Sequence, residues 1–137
     1  MGARTAGPQV TGDPSVAISR LVVRTIADYT GRGPTRARAT IGPDVITVIL
    51  DDSLTKAERA LVRDGAADEV VSIRRAFQRT MAQTLILGVE EITGRTVSAF
   101  LSDNHVAPDY AAEVFVLTPL DDADPATPDT TDAAPTR

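Results

Sequence analysis

Apolar residues recur at helical spacing early in the chain. In "DPSVAISRLVVRTIADYTG", Ile18, Val22, Ile26 and Tyr29 fall at four- and three-residue steps, the stripe of an amphipathic helix. Asp13 stands where an N-cap belongs and Pro14 at the first helical position. Gly31 occupies the place of a left-handed C-cap, and Pro34 blocks continuation. The pattern predicts a helix over 14–30. The period then changes. "RARATI" sets Arg36, Arg38 and Thr40 against Ala37, Ala39 and Ile41, the alternation of a half-buried strand. After the turn tripeptide "GPD" at 42–44, "VITVIL" is apolar on both faces, as a central strand requires. The two segments predict an antiparallel hairpin.

"LTKAERALVRDG" opens with a capping box, Thr55 and Glu58, and Gly65 either ends that short helix or is carried through it. From Ala67 onward, Val70, Ile73, Phe77, Met81, Leu85, Gly88 and Ile92 mark one face of a long helix that stops at Gly94. "TVSAFLS" and "AAEVFVL" predict a second hairpin, with "SDNHVAPD" as its loop. The two halves echo each other. T-G-R at 30–32 returns at 93–95, P-D at 43–44 returns at 108–109, and both apolar runs end in Leu. The expected fold is α+β: duplicated α-β-β units forming a four-stranded, mainly antiparallel sheet with helices on one face. In that frame each T-G-R is a helix end.

The tails behave differently. The last seventeen residues hold five Asp, one Arg and several Pro and Thr, with no large apolar residue. Such a segment buries too little to offset chain entropy, so 120–137 is expected to be a disordered acidic tail, and 1–12 likewise disordered. The domain is expected at 13–119. The tail accounts for most of the net charge of −5, leaving the domain nearly neutral. That balance argues against nucleic-acid binding, as do aromatics at 4% with none interleaved among the arginines. There is no Cys, which excludes disulfides and thiolate zinc sites. No apolar run reaches the roughly 20 residues of a membrane span, so no direct membrane insertion is expected. The N-terminal stretch lacks the apolar core of a secretory signal, and a cytoplasmic location is expected.

Candidate chemistry is sparse. Arg36 and Arg38 project from one strand face, and Arg32 lies close enough in sequence to join them in an anion- or partner-binding patch. The simpler reading is an edge strand protected by charge. A P-loop is excluded, because the glycines of "TGRGPTRAR" follow a helix instead of opening one. Asp103, Asn104 and His105 form the other candidate. Imidazole and carboxylate can hold a metal, but the spacing matches no strong metal motif, and such residues more often shape turns. Arg74, Arg75 and Arg79 read as the solvated face of the long helix. No catalytic residue, metal or cofactor is assigned, and no enzymatic activity is expected.

"YTGRGPTRARATI", "LTKAERALV", "IRRAFQ", "EITGRTVSAFLSDNH" and "AAEVFVL", in this order, resemble the MpsC-like family over about 15–118. The resemblance implies a soluble component of a sodium-translocating, membrane-potential-generating system, an accessory of ion translocation or inorganic-carbon uptake that meets the membrane through a membrane-protein partner. It supplies no catalytic residues. The alternative is a small-ligand or anion-binding sensor, or an enzyme, using the arginine patch and the Asp-Asn-His loop. A homodimer is expected as well, since strands apolar on both faces need a second cover beyond one layer of helices.

Overall fold

Helix α1 (Pro14–Thr30) forms between the two signals that bound it. The Asp13 carboxylate accepts the Ser15 N–H at 2.9 Å, and Gly31 takes the left-handed conformation at φ 88°. The computed structural model describes residues 12–120. After α1 come β1 (Arg36–Ile41) and β2 (Val45–Asp51), α2 (Lys56–Arg63), α3 (Ala67–Thr93), β3 (Val97–Val106) and β4 (Asp109–Leu117). The Thr55–Glu58 capping box opens α2, and Gly65, at φ +87°, separates it from α3. Gly94 ends α3 at φ 69°. The expectations of disorder at 1–12 and 120–137 fall, but for their margins, outside the described residues.

The sheet has order β1-β2-β4-β3, antiparallel throughout. The two hairpins therefore meet at the centre through their second strands, leaving β1 and β3 as edges. The α-β-β plan recurs, with α2 inserted before the second copy. Among the described residues, helices cover one face only. Ile18, Val22 and Ile26 of α1 and Met81, Leu85 and Val89 of α3 close over Ile46, Val48, Leu50, Phe115 and Leu117. Phe100 stacks at a tilt on Phe115, centroids 5.0 Å apart. The two long helices approach closely at Gly88, where an added Cβ would lie 2.6 Å from Leu21 Cδ2.

Two expectations need correction. The inner face of α3 runs through Val70, Arg74, Gln78, Met81, Leu85 and Val89, while Ile73 is exposed. Arg74 is thus buried, not solvated. The apolar neighbours Ile73 and Phe77 mark a stripe one residue out of phase, because two polar side chains occupy the true inner face. Second, Asp103, Asn104 and His105 are not in a loop. Pairing continues through Asn104↔Ala111, His105↔Tyr110 and Val106↔Asp109, so the turn shrinks to Ala107 and Pro108. With one sheet face uncovered, polar residues are tolerated at alternate positions of an edge strand, and the ladder runs on.

Candidate functional site

The repeated T-G-R proves to be a clasp made twice. Thr30 and Thr93 each return their hydroxyl to the carbonyl four residues back, Ile26 and Val89. Each arginine then leaves the cap to grip the end of a central strand. Arg32 donates to the carbonyls of Asp52 (2.6 Å) and Leu54 (2.9 Å) and to the Asp52 carboxylate. Arg95 donates to the carbonyls of Pro43 and Thr118 and to the Asp44 carboxylate. Asp52 O and Thr118 O each directly follow a central strand, so the two contacts are equivalent. Arg59 reaches Asp52 as well. Thus Arg32 is held inside this knot by three acceptors.

Arg36 and Arg38 lie on the face of the sheet away from the helices. Arg38 pairs with Asp51 at 2.8 Å, whereas Arg36 makes no ion pair among the described residues. The same face carries Asp103 and His105 at the opposite edge. The register sets Arg38, Ile49, Ala112 and Asp103 in one row and Arg36, Asp51, Tyr110 and His105 in the next. Three strand spacings, ~14 Å, separate the arginines from the β3 group. Asn104 points the other way, under α3, where it accepts from Gln78. The two candidate groups are therefore not joined within one molecule. His105 spends Nδ1 on the Pro108 carbonyl at 2.7 Å, and no hydroxyl bonds to it among the described residues. Between the charged edges the open face is apolar apart from Thr47: Val45, Ile49, Ala112, Val114, Val116, Ala99 and Leu101. Leu101 is 56% and Val45 40% exposed, high for apolar residues of a sheet.

A second constellation, hidden from sequence reasoning, lies on the covered side. Arg74, only 3% exposed, bonds to both Glu58 oxygens and to the Ser53 carbonyl. Burial pushes the Glu58 carboxyl up, but hydrogen bonds from Arg74 and the Thr55 N–H, with the Arg74 charge, outweigh it and hold the group below its ordinary range. Glu113 lies on central β4 among apolar neighbours at 2% exposure, opposite Ser102 on β3. Its Oε1, the Ser102 hydroxyl and the Asn104 amide nitrogen are buried without a hydrogen-bond partner among the described residues. Burial raises the Glu113 pKa to about 7, drawn back only in part by the Arg74 charge and by the Ser102 hydroxyl, which faces the carboxyl without reaching hydrogen-bond geometry. Beside this cluster a cleft of about 340 Å³ opens between α3 and β3, lined by Arg75, Gln78, Arg79, Ala82, Phe100 and Ser102. The available signal was the alternation Ala111, Glu113, Phe115, Leu117, which sets a carboxylate on the buried face of a central strand.

Among the described residues, no group of three His, Asp or Glu could hold a metal ion. Among the described residues no helix is long and apolar enough to cross a membrane, not even the 27-residue α3. No curated protein and no solved structure matches the chain. A family model does match over residues 12–119, described as the Na+-translocating membrane potential-generating system (MpsC). That span contains every element of the fold, and the chain belongs to the MpsC family.

Proposed function

We propose that the chain is a non-enzymatic interaction module serving a membrane ion-translocating system, and that it works as a homodimer joined through the open face of its sheet. Membership of the MpsC family supports the first part. The observation that carries the second is the uncovered apolar face, bordered by arginines on β1 and by Asp103 on β3. Apolar faces of this kind are costly to leave in water, and a second copy is the commonest cover.

Charge selects the arrangement. A two-fold axis parallel to the strands, midway between two facing sheets, lays β1 of one copy over β3 of the other. Arg38 then meets the partner's Asp103. The perpendicular in-plane axis would stack β1 on β1 and bring arginine to arginine, which is unfavourable. Aligned sheets packed ~10 Å apart accommodate this geometry with the usual offset of about 30°. The dimer in turn presents two copies of its remaining surface to a membrane-protein partner.

Sedimentation velocity tests the dimer. The wild-type chain should sediment as a dimer at micromolar concentration, and Leu101→Glu, which buries a charge in the proposed interface, should be monomeric with unchanged secondary structure. A monomeric wild type would sink the homodimer and leave the open face to another occupant. For the accessory role, affinity capture from detergent-solubilised native membranes should recover an identified integral membrane subunit of an ion-translocating complex. Its absence from the captured material would count against that role.

A further inference from the structure

Three buried polar atoms without partners rarely gather by chance, since nearly all such atoms in native proteins are satisfied. Here Glu113 Oε1, Ser102 Oγ and Asn104 Nδ2 converge on one side of the sheet. Ser102 and Glu113 are directly opposite across the β3–β4 ladder, and Asn104 is the next residue on the same face of β3. Ser102 also lines the α3–β3 cleft, as does Gln78, whose amide holds Asn104. The unsatisfied atoms therefore lie at and just behind the inner wall of an open cavity.

At the mouth stand two cations. Arg75 and Arg79 are one turn apart on α3, line the cleft, and make no ion pair among the described residues. Deeper in, the Arg74 charge is matched by Glu58 through a bidentate pair. Behind the wall, across the ladder from Ser102, the remaining ionisable group is Glu113, whose desolvation favours the neutral, proton-bearing form near neutrality. The cleft thus presents positive charge outside, the Ser102 and Gln78 side chains inside with the Glu113 carboxyl behind Ser102, and an apolar flank from Phe100 and Ala82. About 340 Å³ is the low end of small-molecule pockets.

We propose that this cleft binds a small hydroxycarboxylate, its carboxylate on Arg75 and Arg79 and its hydroxyl turned inward to Ser102 and Glu113. Guanidinium forks suit a planar carboxylate. A hydroxyl can donate to Glu113 Oε1 and accept from Ser102 or Asn104, completing the groups the fold leaves open. Acetate has the charge without the inner group, and sulfate lacks both the planarity and the apolar stem. The site is independent of the sheet-face dimer, being on the opposite side of the sheet.

Amide NMR with L-lactate and L-malate as probes, against acetate and sulfate at matched ionic strength, tests the assignment on the intact chain. Saturable shifts are expected at amides of residues 75–82 and 100–104 with lactate or malate, and only weak ones with the controls. Arg75→Gln combined with Arg79→Gln changes exposed side chains and should weaken binding by roughly ten- to a hundredfold while the fold persists. Ser102→Ala should weaken it by about tenfold. Above pH 8 the ionised Glu113 repels the ligand, with Arg74 as the opposing charge on α3 and Glu58 of α2 already paired. Affinity should therefore fall from pH 6 to pH 8 in the wild type and stay flat in Glu113→Gln. A cleft filled by water alone would give no saturable shift with either probe and would overturn the proposal. So would shifts of equal size in the double arginine variant.

Discussion

Two buried carboxylates shape the pH response of this domain in opposite senses. Glu113 has its pKa raised from the ordinary 4.5 to about 7 by burial. Below 4.5 it is protonated in folded and unfolded chains alike, and folding loses nothing. Between 4.5 and about 7 the unfolded chain ionises while the folded one holds its proton, so stability declines as pH rises through that window. Two and a half units correspond to on the order of 3 kcal/mol. Glu58 works in the opposite sense. Its folded pKa is depressed, so its contribution is present above the ordinary value and lost on acidification. The two slopes together predict greatest stability near pH 5. Glu113→Gln should remove the alkaline decline, so that urea denaturation at pH 8 finds the variant more stable than the wild type by roughly 1–3 kcal/mol, with the gap narrowing as pH falls and closing below the ordinary carboxyl pKa of 4.5. Equal pH dependence of the two proteins would show that Glu113 is not the titrating group.

At the scale of elements, the caps decide where chain direction changes. Gly31 and Gly94 both adopt positive φ with open space around them, so their glycine identity answers a backbone need and not a packing one. Gly94→Val should cost about 1–2 kcal/mol, the penalty of a left-handed β-branched residue, read as a lower melting temperature with the same secondary structure. An unchanged melting temperature would mean that the α3 end relaxes into another cap. These caps were legible in the sequence because Asp13, Pro14, Gly31, Thr55, Glu58 and Gly94 act through their own local backbone. The first hairpin was legible for a similar reason, with alternation in "RARATI" and β-branched residues in "VITVIL". What local pattern could not carry was long-range compensation. Arg74 and Gln78 look solvent-facing until Glu58 on α2, some sixteen residues before Arg74, and Asn104 on β3 are folded against them. Likewise β3 runs past its apolar part, because the pairing partner Tyr110 and the bond from His105 to the Pro108 carbonyl hold the polar end. The candidate site was therefore the least readable feature: the arginines of β1 were visible as a strand face, while the buried acid was not.

For the whole molecule, the placement of charge relative to the uncovered sheet decides which assembly can form. In one copy the β1 arginines and Asp103 sit at opposite edges, too far apart to interact. Two copies related by an axis along the strands bring them together twice. Arg38→Asp should then weaken dimerisation about tenfold, and Asp103→Arg should do the same, since each places like charges face to face. The double variant Arg38→Asp with Asp103→Arg restores opposite charges across the interface and should recover most of the affinity. Arg38 also pairs with Asp51 in its own chain, at a half-exposed position where such a pair contributes little. Loss of that pair is not repaired by a change at Asp103, so recovery in the double variant separates the contact between copies from the one within a copy. Sedimentation equilibrium across the four proteins measures the coupling directly. Additive losses, with no recovery, would exclude the strand-parallel axis and require the two sheets, if they meet at all, to meet in another register.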